Sequence, residues 1–423
     1  MKHQTRRQKR IEWTRLDNAA KIFPPTSNDK DTKVFRFACE LYEEVDPIIL
    51  QEALDETIEI FPFYKSILRK GAFWYYFETS NTKAKVSEES EPVCARIYNE
   101  NLRNLLFKVV YYNKRINLEI FHSLSDGTGA LWFMKTLVYH YLTRKYADAF
   151  RTKLPVLDYD ASVSQKMDDS FKKYYTGNTL PKKEAQPRAY HIRGTRKEDN
   201  SMHLVEGTMS VKAVLEIAHE YNTTLTVYLT ALFMYSIYKG MSDRGKKHPV
   251  ALSIPVNLRN YFESESARNF FSTINIAYHF GKESTDLKDV IQSVNDSFNK
   301  ELTKERIVHR LNRFATYEHN FIARIVPLVL KDVTLKIANE INERGITAAL
   351  SNIGKITMPE ELRPFIKQFD VFTSARRPQI CMCSYGDNLV ISFTSPFMET
   401  DIQKTFFQTL SQKGVKIDIS TNR

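Results

Sequence analysis

The chain has 423 residues, of which 42% are hydrophobic and 12% aromatic; this composition excludes a disordered protein, and the length exceeds the roughly 250–300 residues at which one core stops growing. Its formal charge of +11 is spread over 26% charged residues of both signs, so it favours anionic partners in general (a cofactor phosphate, an anionic lipid surface, nucleic acid) without choosing among them. Four cysteines with no Cys-x-x-Cys pair exclude a disulfide framework.

Lys2, Arg6, Arg7, Lys9 and Arg10 make a basic arm without the apolar stretch of a secretory signal. No apolar run reaches the ~18 residues of a membrane span, so a cytoplasmic protein is expected. Trp13 to Ile22 mixes apolar and charged residues until Pro24-Pro25 stops it. Lys33 to Leu41 alternates as a strand does. Asp46-Pro47 reads as a cap and first position of a helix whose apolar face carries Leu50, Leu54, Ile58 and Phe61. Pro62-Phe63 breaks that helix, and Leu68 to Thr79 supplies strand material around Gly71. Leu105 to Tyr112 and Ile116 to His122 flank Asn113-Lys114-Arg115, which predicts a hairpin delivering His122.

From Asn117 the pattern is period two, with Leu118, Ile120 and His122 on one face and Asn117, Glu119 and Phe121 on the other. This predicts a half-buried strand ending at His122. Ser123 to Gly129 is small and polar, and Ala130, Leu131, Met134, Leu137, Val138, Tyr141 and Leu142 then recur at helical spacing as far as Ala149. Asp126 is placed to cap that helix, and Gly127 and Gly129 leave room for close backbone approach. The positive end of the helix would disfavour imidazolium and keep His122 neutral, as a general base must be. Spacing alone fits a buried, hydrogen-bonded histidine equally well.

Pro155 to Lys197 is polar and weakly periodic, with Gly177-Asn178, Pro181 and Pro187, and reads as a connection. An N-terminal subdomain is therefore drawn over 1–175, the connection over 176–200, and a C-terminal subdomain over 201–423. The second half predicts helices at Ser210 to Tyr221, Thr224 to Met241, Asp286 to Leu311 and Ile325 to Ile341. Strands are predicted at Val250 to Pro255, Ser272 to Phe280, Val371 to Thr373, Gln379 to Tyr385 and Leu389 to Ser395, and a last helix at Thr400 to Gln412. The thiols of Cys381-Met-Cys383 would share one strand face, which fits packing better than ligation, and no metal site is expected.

His122-Ser-Leu-Ser-Asp126-Gly127 resembles the His-x-x-x-Asp-Gly motif of the chloramphenicol acetyltransferase-like superfamily, which includes alcohol acetyltransferases, wax-ester synthases and condensation domains. Trp13-Thr-Arg-Leu-Asp17 with Phe23-Pro24, Ile254-Pro-Val-Asn-Leu-Arg259, and Ser351-Asn352-Ile-Gly354 followed by Pro359 stand in the order of alcohol acetyltransferase-like members. The resemblance implies an α/β fold of two subdomains, each a mixed sheet flanked by helices, with the active-site channel between them. It implies an acyl-CoA-dependent acyltransferase acting on a small alcohol or amine, acyl-CoA (acetyl-CoA foremost) being the co-substrate. His122 would be the base and attack direct; Asp126 would be structural, pairing with Arg259.

Asn257, Ser351 and Asn352 are candidates for lining the channel or donating to an oxyanion, and strand-end hydrogen bonding accounts for them as well. Many relatives carry a second histidine before the catalytic one; here it is Phe121, which lowers the case for condensation on carrier-protein thioesters. A non-catalytic relative that binds a lipid, a polyketide or a protein is the other alternative. A monomer is expected, with a peripheral membrane or lipid contact open to it. Nucleic-acid binding is not expected, because Lys172-Lys173-Tyr174-Tyr175 reads as solvated loop. No dinucleotide fingerprint, phosphate loop, Gly-x-Ser-x-Gly elbow or zincin spacing occurs.

Overall fold

The architecture follows from where the hairpin strands find their partners. A computed structural model describes residues 13–151, 153–157, 159, 162–177, 187–319 and 325–422; the basic arm at 2–10, Asn178 and Pro181 lie outside them. The hairpin is formed by β6 (Phe107–Tyr112) and β7 (Arg115–Phe121), paired antiparallel with Tyr112 opposite Arg115. The turn is thus the two residues Asn113-Lys114, shorter than predicted, and Asn113 takes the left-handed φ of 48° that such a turn requires. These strands join β2 (Val34–Leu41), β5 (Val86–Glu88) and β12 (Ile366–Thr373) in a five-stranded sheet of order β12-β2-β7-β6-β5.

The 201–423 segment therefore lends one strand to the first sheet. β12 pairs antiparallel along β2, with Phe369 opposite Cys39 and Val371 opposite Phe37. It is longer than the predicted Val371 to Thr373 because the polar positions Gln368 and Asp370 are also buried. A three-stranded sheet of β1 (Trp13–Arg15), β4 (Tyr75–Thr79) and β3 (Ser66–Lys70) adds Ile67, Leu68, Tyr75 and Phe77 to the same core as that sheet.

The second large sheet has the order β10-β9-β11-β13-β14-β8-β15. Its strands are β8 (His203–Ser210), β9 (Val250–Asn257), β10 (Phe271–Tyr278), β11 (Ala348–Ile356), β13 (Gln379–Tyr385), β14 (Asn388–Ser395) and β15 (Ile417–Thr421). β8, β11 and β15 were not predicted: β8 and β11 interleave polar or glycine positions with few β-branched residues, and β15, although Ile417, Ile419 and Thr421 alternate, is only five residues long. β11 is bulged between Asn352 and Gly354, the glycine taking φ 88°. The predicted helix at Asp286 to Leu311 is two helices, Leu287–Glu301 and Lys304–His319.

The nearly all-apolar helix Leu225–Lys239 owes its composition to burial on every side, between the second sheet and the helices Leu287–Glu301 and Asp401–Gln412. One core surrounds β2, β7 and the helix Gly127–Lys145; another surrounds Leu225–Lys239. Cys381 and Cys383 pack in the first core, where burial raises both thiols above their ordinary range. Among the described residues no helix is long and apolar enough to cross a membrane, and no cluster of three metal-ligating side chains occurs.

Candidate active site

β7 is buried on both faces rather than half-buried as predicted. Asn117 and Glu119, read as solvent-facing, meet buried partners: Arg36 bonds Glu119 at 2.8 Å and Glu89 at 2.6 Å, and the Asn117 amide donates to Glu89 at 3.1 Å. Polar side chains go inside here because an ion-pair cluster receives them. Phe121, where relatives carry a second histidine, stacks on Tyr98 with ring centroids 4.9 Å apart. His122 is one residue past the strand, but its N–H still donates to the Lys33 carbonyl at 2.9 Å, which fixes its backbone. The helix starts at Gly127, and the Asp126 carboxylate caps it by accepting from the Gly129 N–H at 2.9 Å.

The second oxygen of Asp126 reaches the other lobe. Oδ2 accepts from Arg259 Nη1 at 2.8 Å and from the Phe270 N–H at 2.7 Å. Arg259 Nη2 donates to the carbonyls of Ser266 and Arg268 at 2.6 and 2.8 Å. The pairing of Asp126 with Arg259 is thus a buried fork that holds the backbone of 266–270 against the start of the helix. Ser125 adds a hydroxyl bond to the Ala267 carbonyl at 2.6 Å.

That loop carries a residue sequence reasoning missed. Asn269 Oδ1 lies 3.2 Å from His122 Nδ1, and its Nδ2 lies 3.3 Å from the carbonyl oxygen of Ser123 and 3.5 Å from Asp17 Oδ2. A carbonyl can only accept, so the amide's NH2 faces Ser123 and its oxygen faces the ring. His122 must then donate from Nδ1, leaving the Nε2 lone pair unprotonated.

The ring is stacked on Phe23 at 4.3 Å and flanked by Phe35 at 4.9 Å and Phe271 at 5.4 Å, yet stays partly exposed. Burial among these rings is the largest influence and holds the imidazole below its ordinary pKa; a hydrogen bond to the residue's own backbone, the charge of Asp126 and the hydrogen bond donated to Asn269 pull the other way and are outweighed. The helix end expected to disfavour imidazolium thus also brings a carboxylate that favours it.

Phe23 is in place because Asp17 accepts from the Ala20 N–H at 2.8 Å, opening the short turn Ala20–Ile22 that leads into Phe23. Burial pushes the Asp17 carboxyl up to about 6 against the pull of Arg268. From the landmark Trp13 to Asp17 with Phe23-Pro24, Phe23 stacks on the ring and Asp17 reaches Asn269.

Asn257 is a bracket: Nδ2 donates to Thr128 at 3.1 Å while Oδ1 accepts from the Arg259 N–H at 3.1 Å. Asn352 donates to Thr226 at 2.9 Å and accepts from the Gly354 N–H at 2.8 Å. Neither amide bonds His122; Ser351 lies beside Asn352 in β11, opposite Cys381. Of the two glycines, Gly129 is the tighter. A Cβ there would lie 2.1 Å from the Ala267 carbonyl oxygen, whereas one on Gly127 would meet only the end of Ile353 at 3.0 Å. Gly129→Ala is therefore expected to lower the thermal midpoint, outweighing alanine's helix advantage of about 1 kcal/mol, and Gly127→Ala to leave it nearly unchanged. A larger loss from Gly127→Ala would contradict this packing.

Comparison with known proteins bears on both the sequence and the fold. The sequence pattern of the alcohol acetyltransferase family matches residues 171–368, beginning after the His122 motif. No curated protein matches the chain in sequence. Among solved structures it is similar to TRI101 of Fusarium sporotrichioides complexed with coenzyme A and T-2, at TM-score 0.63 and 11% identity over 96% of this chain and 99% of that one. It is similar to TRI3 trichothecene 15-O-acetyltransferase from Fusarium sporotrichioides, at TM-score 0.63 and 10% identity over 96% and 95%. The first condensation domain of the calcium-dependent antibiotic synthetase, complexed with a substrate analogue, matches at TM-score 0.62 and 12% identity over 95% and 96%. The chain thus has the two-sheet α/β fold of these acetyltransferases and this condensation domain, and its residues 171–368 match the sequence pattern of the alcohol acetyltransferase family.

Proposed function

We propose that the protein transfers an acyl group from an acyl-CoA, acetyl-CoA foremost, to an alcohol or amine, with His122 as general base. The observation that carries this reading is the contact with Asn269: its amide, oriented by the Ser123 carbonyl, accepts a hydrogen bond from Nδ1–H, so the bare nitrogen is Nε2. The acceptor's hydroxyl or amine proton passes to Nε2 as its oxygen or nitrogen attacks the thioester carbonyl. The tetrahedral intermediate collapses with cleavage of the C–S bond, and the leaving thiolate takes the proton back from the imidazolium. Asp126 and Arg259 do not touch the reacting atoms in this scheme; they hold the loop that holds Asn269. The family pattern at 171–368 and a fold shared with a protein crystallised with coenzyme A support the thioester donor.

The test is turnover. Purified protein with acetyl-CoA and a panel of alcohols and amines should release free thiol in an acceptor-dependent way. Coenzyme A binding with no acyl transfer across longer acyl donors and the whole panel would instead favour a binding module.

A further inference from the structure

The helix Leu328–Glu343 is buried only at Leu328 and Asp332, although half of its first turns are aliphatic. Leu330, Val333, Ile337 and Ile341 are 56%, 50%, 56% and 59% exposed. At 3.6 residues per turn these four fall within an arc of about 80°, on the side opposite Leu328 and Asp332. An aliphatic stripe that points away from the core is waiting for an apolar phase.

The adjoining turn extends it. The Leu328 N–H donates to the Ala72 carbonyl at 2.8 Å and Lys331 to the Phe73 carbonyl at 2.8 Å; Phe73 and Trp74 beside them are each 42% exposed. Arg15 lies over the Trp74 ring at 5.1 Å.

Charge decides which apolar phase fits. Each carboxylate of the helix has a cation from a neighbouring element within reach: Glu340 has Arg376 at 2.5 Å, Glu343 has Arg377 at 3.5 Å, and Asp332 has Lys70 at 3.7 Å, shared with Glu100 at 3.3 Å. Lys336 is exposed on the helix, and Arg15 at the Trp74 ring adds a second cation to the face. A second copy of a +11 chain would bring the same charge to this face, whereas an anionic bilayer offers hydrocarbon beneath negative headgroups. Tryptophan and aliphatic residues with flanking lysine and arginine are the composition that settles at such an interface.

We propose that the Leu330–Ile341 stripe and the Phe73-Trp74 turn dock this protein on an anionic lipid bilayer. The same helix packs on Phe23–Thr26, and Phe23 is the ring stacked on His122, so a single packed segment separates the docking helix from the histidine.

Vesicle sedimentation of the full chain tests this without reference to acyl transfer. The protein should pellet with phosphatidylcholine vesicles containing phosphatidylserine, more weakly with phosphatidylcholine alone, and salt should release it. Because Trp13 and Trp74 are two of its three tryptophans, binding should shift the emission to the blue. Val333→Glu with Ile337→Glu should weaken vesicle binding by at least about tenfold with the thermal midpoint kept, since both side chains face outward. Wild-type protein left in the supernatant with phosphatidylserine vesicles would overturn the proposal, as would unchanged binding by the double variant. A concentration-dependent dimer that the same variant breaks, without vesicle binding, would assign the face to a second copy instead.

Discussion

His122→Ala is expected to reduce acyl transfer by roughly 10²- to 10⁴-fold, the range a positioned proton acceptor supplies. No neighbour can take over the task. Asn269 is neutral at any working pH, and Asp17 lies behind it, bonded to the Ala20 N–H and the Asn269 amide. What remains after the substitution is orientation of donor and acceptor, so KM should change less than kcat. The fold should survive, because the ring occupies a partly exposed niche rather than the centre of either core, and a retained thermal midpoint checks this. Wild-type and variant rates agreeing within a few-fold across donors and acceptors would remove His122 from the mechanism.

Arg259→Ala is expected to act on structure first. The guanidinium and the Asp126 carboxylate are both nearly inaccessible, at 7% and 4% exposure, so deletion leaves a buried carboxylate without its partner and costs about 3–5 kcal/mol. It also frees the carbonyls of Ser266 and Arg268. The thermal midpoint should fall by several degrees, and activity should fall because Asn269 is no longer held against Nδ1. Arg259→Lys should recover part of the stability and less of the activity, because one ammonium reaches Asp126 but cannot reproduce the fork to two carbonyls. Lost activity with an unchanged midpoint would contradict this role and place Arg259 at the reacting atoms.

The part of the site that lay within a short stretch of sequence was legible. His122, Asp126 and the helix after them stand in a contiguous pattern of alternation, small polar loop and helical repeat, and each local preference agrees with its neighbours. Arg259 could be named only through the family resemblance, since nothing in Ile254 to Arg259 says which carboxylate it meets. Asn269 was not legible at all: it is one amide in Ala267-Arg-Asn-Phe270, and its role comes from an approach across 147 residues of chain. In the fold, the longer strands with regular alternation were found, whereas β8 and β11 owe their strand conformation to sheet neighbours rather than intrinsic propensity, and β15 is too short to stand out despite its alternation. β12 shows the same limit at the level of topology, as nothing in Ile366 to Thr373 announces that its partner is Val34 to Leu41.

Proton acceptance by a neutral imidazole at Nε2 is tested most directly by the pH dependence of kcat/KM. A base must be unprotonated to act, and burial holds this imidazole below the ordinary histidine value of 6.5. The rate should therefore rise with pH along a single acid limb whose midpoint lies below 6.5. The residual rate of His122→Ala should lack that limb. A rate that falls as pH rises through this range, or the same limb in the alanine variant, would contradict the account.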